Sequence, residues 1–177
     1  MPLPQDAEIL HTARFLELRR TGRGEYVQRC NTGGGAAFMI ATTAEQELVL
    51  VEQLRPAVNQ RVIELPAGVV GDEHHGEAPI EAAKRELEEE TGFRPGRVTC
   101  LHDSPTAAGL TSEWAWYFRM TELTRVSAGG GVDGEDITTH VVPLGEINAW
   151  LSQRKTAGCA VDWRIFAALH WIEHGER

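Results

Sequence analysis

Along the first third of the chain, apolar and polar positions change over in short runs broken by glycines and polar turns, a strand-like pattern. Ile9 to Arg19 and Glu25 to Arg29 flank Thr21-Gly22-Arg23-Gly24, which predicts a hairpin. Ala36 to Thr42 and Glu47 to Gln53 form a second pair around Thr43-Ala44-Glu45-Gln46. Leu48, Val49, Leu50 and Val51 are consecutive apolar residues, as in a strand covered on both faces. A short strand, Val62 to Leu65, stops at Pro66. Further strands are predicted at Arg97 to His102, Glu113 to Glu122 and Ile137 to Val142, with Gly129-Gly130-Gly131 as a mobile loop between two of them. Helical segments are predicted at Leu144 to Ser152 and at Asp162 to His174. In the latter, Trp163, Phe166, Ala167, His170 and Trp171 read as a core-facing stripe. The expected fold is mixed α/β: a sheet sandwich with a small N-terminal antiparallel sheet. Residues 1–45 are expected as the strand-rich N-terminal region and 46–177 as the catalytic domain.

Between these strand groups, Ala78 to Thr91 carries the clearest helical period. At about 100° per residue, Glu86, Glu89 and Glu90 share roughly one 100° sector, beside the apolar stripe of Ile80, Ala83, Leu87 and Thr91. Glu81, Lys84 and Glu88 point towards solvent. Pro79 suits the first turn, Gly92 closes the helix, and Pro95 lies beyond. Glu77, extended back along the same helix, projects away from the cluster, so it reads equally as a helix-end charge and as a metal ligand.

Like charges three and four residues apart repel, and partial burial drives carboxylates to take up protons. Arg85 offsets one charge. The natural further partner is a hard divalent cation, and oxygen donors without ligand-spaced His or Cys favour Mg²⁺ or Mn²⁺. The other reading of an acidic helix is a solvated face.

Charge sharpens this picture. The 177 residues include 17 Lys and Arg against 26 Asp and Glu, a formal charge of −9. No basic footprint exists for duplex nucleic acid, so no nucleic-acid partner is expected. Cys30, Cys100 and Cys159 show no Cys-x-x-Cys pair, and the apolar run Ala36 to Ala41 is too short to span a bilayer. A cytoplasmic protein with no membrane partner is the expectation. Gly33-Gly34-Gly35 lacks the Lys-Ser/Thr of a phosphate loop and reads as a bulge or a close backbone approach. His74 and His75 read as surface residues.

Gly71-x5-Glu77-x7-Arg85-Glu86-Leu87-x-Glu89-Glu90-x-Gly92-Phe93 resembles the signature of the Nudix hydrolases. Val51 to Pro56, Glu64 to Gly68, Ser104-Pro105, Leu110 to Glu113 and Gly134 to Ile137 resemble segments of the ADP-ribose pyrophosphatase-like subfamily. Either Gly68 or Gly71 opens the box. The resemblance implies metal-dependent hydrolysis of a nucleoside diphosphate sugar, most simply ADP-ribose to AMP and ribose 5-phosphate. Related diphosphate substrates (GDP-mannose, dinucleoside polyphosphates) and a nucleotide-sugar sensor without turnover are the alternatives. It also implies metal ligands at Glu86 and Glu90, with Glu89 and the Ala67 carbonyl. Arg85 belongs to the same catalytic group. Glu113 binds metal or substrate, or forms a cross-strand charge pair. A loop acid serves as general base, Glu135 ahead of Asp133, with Asp136 beside them. Arg55 is the candidate for the diphosphate or terminal ribose, or else a strand-end ion pair. Glu52 and Glu64 hold ribose hydroxyls or arginines. The subfamily further implies a homodimer built on the N-terminal sheet.

Overall fold

Residues 8–29 form a three-stranded antiparallel sheet of β1 (Glu8–Thr12), β2 (Leu16–Thr21) and β3 (Gly24–Arg29). The single strand expected over Ile9 to Arg19 is in fact two, because the chain reverses at Ala13, whose N–H donates to the Leu16 carbonyl at 2.8 Å. The hairpin at Gly22-Arg23 is present, with Thr21 opposite Gly24. This computed structural model describes residues 6–30, 32–72, 74, 76–132 and 134–175.

Two four-stranded sheets make up the rest. One has the order β10 (Thr138–Pro143), β5 (Glu47–Arg55), β6 (Gln60–Glu64), β11 (Ala160–Val161). The other runs β7 (Ala67–Val69), β4 (Gly35–Ala41), β9 (Trp114–Arg125), β8 (Phe93–Pro105). β4 pairs with β9 and β7, whereas β1 to β3 pair only with one another as a sheet. β7 and β11 are too short to show a period, and the sequence pattern misses both. β8 runs well past the expected Arg97 to His102 because it is an edge strand, where Pro95 disrupts no ladder.

The helices are α1 (Pro79–Thr91), α2 (Ile147–Thr156) and α3 (Arg164–His174). α1 ends where Gly92 turns left-handed at φ 75°, its N–H returning to the Glu88 carbonyl. Alternation along β4 assigns the two sides of the core. Ala37, Met39 and Ala41 meet Ala82, Ala83 and Leu87 of α1, whereas Ile40 joins Leu48, Leu50, Ile63, Leu151 and Ile165. Each large side chain buried this way contributes roughly 1.5–3 kcal/mol. α3 turns differently from the expected stripe: Trp163 is 60 % and Phe166 47 % exposed, and His170 is exposed. The helix buries Ile165 and Ala168 and packs Leu169 and Ile172, keeping only Trp171 of the expected aromatic stripe against the core. Both stripes have helical period, and aromatic content misdirected the choice between them. Among the described residues, no helix is long and apolar enough to cross a membrane.

Candidate active site

The packing of α1 fixes its acidic sector. With Ala83 and Leu87 buried, Glu90 is carried inward until it is only 4 % exposed, and Glu86 and Glu89 stand at the rim. Arg85 binds the cluster together: its Nη1 donates to Glu86 Oε1 at 3.0 Å and to Glu89 Oε2 at 3.1 Å. Its Nη2 donates to Glu77 Oε2 at 3.3 Å and to Asp72 Oδ1 at 3.4 Å. Glu77 therefore faces the cluster, contrary to the helical extension. It precedes the Pro79 start of α1, so the 100° step does not apply to it.

β7 closes the other side. The β4–β7 ladder bonds through Val70–Gly35 and Met39–Pro66, which directs the Ala67 amide and carbonyl away from β4. The Ala67 N–H donates to Glu90 Oε2 at 3.0 Å. Next to it, Gly68 lies flat against the Glu86 side chain. A Cβ there would sit 2.0 Å from Glu86 Cγ and Cδ. Gly71 has φ 76° and no such contact with Glu86.

The glycine-rich loop is fastened rather than free. Gly130 N–H donates to the Glu90 carbonyl at 2.8 Å and Gly131 N–H to the Glu89 carbonyl at 3.0 Å, capping the C-terminal turn of α1. Thr139 Oγ1 donates to the same Glu90 carbonyl at 3.1 Å. Glu135 follows directly, its Oε2 accepting from the Val132 N–H at 3.2 Å, and its charge reaches Glu90. Asp133 lies outside the described residues. Asp136 turns aside to Arg61 at 2.8 Å.

A cavity of about 520 Å³ opens on the far side of β7, lined by Ala67 and Gly68 together with Arg55, Glu64, Arg29 and Glu113. Arg55 Nε donates to Glu64 Oε2 at 2.8 Å, and Arg29 pairs with Glu113. Arg55 also acts on the charge of Glu90. Glu52 is elsewhere. It sits opposite Ile63 while Glu64 sits opposite Val51, and successive strand residues face opposite ways. Glu52 is buried on the α2 side, bonded to Arg61, Arg154 and His140, which removes it from the cavity. Arg164 and Asp162, which no motif in the sequence marks, also line the cavity at the start of α3. Their adjacent signs at Asp162-Trp163-Arg164 were the available signal.

The sequence profile of the NUDIX domain matches residues 34–157, more than half of the chain. The chain belongs to the Nudix family. It is 33 % identical over 120 residues to a GDP-mannose pyrophosphatase of Enterobacter sp. (strain 638), a match covering 63 % of this Nudix chain and 61 % of that protein. It is 31 % identical over 146 residues to an ADP-ribose pyrophosphatase of Mycobacterium tuberculosis (strain ATCC 25618 / H37Rv), covering 79 % and 70 %. The chain thus spans about three fifths of the length of the first of these relatives. A solved structure described as an ADP compounds hydrolase superposes with a TM-score of 0.72 at 20 % identity, over 96 % of this chain and 90 % of that one, and so shares the fold.

The Nudix helix holds its carboxylates under electrostatic load. Burial, with Glu86 and Glu135 nearby, pushes Glu90 up to about 8, against the opposing Ala67 hydrogen bond. Burial, with Glu89 and Asp72 nearby, pushes Glu86 up to about 7 despite Arg85. Among the described residues no three acidic, His or Cys side chains converge as a ready metal cage, because Arg85 ties Glu77, Glu86 and Glu89 to itself. The all-oxygen donor set and the overloaded, buried Glu90 nevertheless fit a hard divalent cation.

These shifts set a pH dependence. Between the unfolded value near 4.5 and the raised folded values, the native state binds more protons than the unfolded chain, so stability falls as pH rises. In chelator, the melting temperature is expected to decline from pH 5.5 to 8.5, more steeply than in a Glu86→Gln/Glu90→Gln variant. Added Mg²⁺ is expected to stabilise most at pH 8.5, where protons compete least. A wild-type profile as flat as the variant's contradicts the assignment.

Proposed function

We propose that this chain is a Nudix pyrophosphohydrolase that cleaves the diphosphate of a nucleoside diphosphate sugar, with ADP-ribose giving AMP and ribose 5-phosphate as the principal reaction. One observation carries this reading: β7 joins the acidic sector of α1 to the cavity of Arg55, its Ala67 and Gly68 touching Glu90 and Glu86 while lining that cavity. Glu86 and Glu90, with Glu89 and the Ala67 carbonyl, would hold Mg²⁺ or Mn²⁺. Bound there, such an ion would neutralise diphosphate oxygens and lower the pKa of water.

The chain's own groups supply the rest. Arg55, oriented by Glu64, offers its guanidinium to the diphosphate, and the apolar wall of Phe38, Val58 and Val62 suits the nucleoside. Glu135 accepts a proton from the attacking water, whose oxygen bonds to one phosphorus as the anhydride P–O bond breaks. The electron pair leaves on the departing phosphate. Arg85 holds Glu86 and Glu89 in place. Glu113, paired with Arg29, borders the substrate rather than the acidic sector. The exposed Ile9, Phe15 and Leu16 of the N-terminal sheet support a homodimer, which sedimentation at micromolar concentration tests.

Incubation with Mg²⁺ and a panel of ADP-ribose, GDP-mannose and UDP-glucose should release AMP fastest. Faster release of GMP would move the assignment to GDP-mannose, the substrate named for one relative. Absence of turnover on all three would overturn the reading.

A further inference from the structure

On the outer face of the β8–β9 pair, Arg97 lies opposite Thr121 and Thr99 opposite Arg119. Directly opposed residues share a face. Val98 and Met120, the pair between them, belong to the core beneath α1, so the two arginines and two threonines form a square on the other side of the sheet. The arginines occupy one diagonal, roughly 7–8 Å apart at the backbone and within joint reach of one small ligand. Leu101, together with Trp171 and Gly175 at the end of α3, walls the square into a cleft of about 400 Å³.

Charge makes this cleft unusual. In a chain of net charge −9, nine arginines pair with carboxylates, while Arg14, Arg23 and Arg125 do not among the described residues, so what sets this cleft apart is that it holds two such arginines together. Arg97 and Arg119 have no hydrogen bond or ion pair among the described residues. Two neighbouring like charges without a counter-charge repel, and a bound anion relieves that repulsion. Guanidinium forks match tetrahedral oxyanions, and the flanking hydroxyls donate to the same oxygens.

We propose that this cleft binds a phosphate group, free or as a monoester, at a site on the opposite face of the sheet from the acidic helix. The inference does not rest on the hydrolase reading. Its test is calorimetric titration of inorganic phosphate into the chelator-treated full chain. Wild-type protein is expected to bind, Arg97→Gln/Arg119→Gln to bind at least tenfold more weakly, and Arg23→Gln, in the β2–β3 hairpin, to bind as wild type does. Arg119→Lys, which keeps charge but loses the fork, should fall between. Titration with AMP separates the sources: tighter binding than phosphate, weakened by Trp171→Phe, assigns a nucleotide, and equal binding assigns free phosphate. Undetectable phosphate binding at millimolar concentration, or binding unchanged in Arg97→Gln/Arg119→Gln, overturns the proposal.

Discussion

Replacing Glu90 by Gln is expected to lower turnover of the preferred nucleotide sugar by about 10²–10³ or more, the scale on which loss of one preorganised electrostatic group acts. The fold should survive, because the reason Glu90 is buried is not its charge. The neighbouring Ala83, Leu87 and Thr91 carry the residue inward, and the Gln amide oxygen can still accept the Ala67 N–H that Glu90 accepts at 3.0 Å. Removing the charge also relieves repulsion from Glu86 and Glu135, so chelator-treated variant should melt no lower than wild type. Mg²⁺-induced stabilisation should shrink in parallel with activity. A variant that turns over at near wild-type rate would end the case for a cation at Glu90, whatever happened to its stability.

The acidic sector was legible in the sequence because it depends on one number, the helical repeat, applied to thirteen residues of unbroken helix. Glu86, Glu89 and Glu90 lie where that repeat puts them. The errors begin where the repeat ends. Glu77 precedes Pro79 and reaches Arg85 from a loop, a contact that no wheel can project. Glu52 and Glu64 are both acids on adjacent strands of the same sheet, and only the register of β5 against β6 shows that they face opposite ways. The three-residue β7 carries no detectable period, yet its Ala67 and Gly68 join helix to cavity. The docking of Gly130 and Gly131 on the end of α1 was equally hidden, since backbone hydrogen bonds leave no side-chain pattern. α3 adds a different lesson. Two faces of one helix offered the same period, and the chain buries aliphatic Ile165 and Ala168 while leaving Trp163 and Phe166 exposed.

Gly68→Ala should damage activity almost as much as loss of an acid, while barely touching stability. Its new Cβ would stand 2.0 Å from Glu86 Cγ and Cδ and 2.4 Å from Oε1, far inside contact distance. Something must move, and the backbone on both sides is held. Gly68 sits opposite Ala37 in the β4–β7 ladder, and α1 is anchored by Ala82, Ala83 and Leu87. The Glu86 side chain is the soft element, and turning it off its rotamer costs only about 0.5–1.5 kcal/mol. The displacement matters more for chemistry than for folding, because a misplacement on the order of 1 Å can cost about 10² in rate. The expected result is kcat/KM lowered about a hundredfold, with a melting temperature close to wild type and a smaller response to Mg²⁺. Gly71→Ala is the contrast. With φ 76° and a new Cβ 3.0 Å from the Gly33 nitrogen, it strains the backbone by about 1–2 kcal/mol but leaves Glu86 untouched, so it should lose stability and keep activity. If the two variants exchange these phenotypes, Gly71 rather than Gly68 is the glycine that the acidic helix requires.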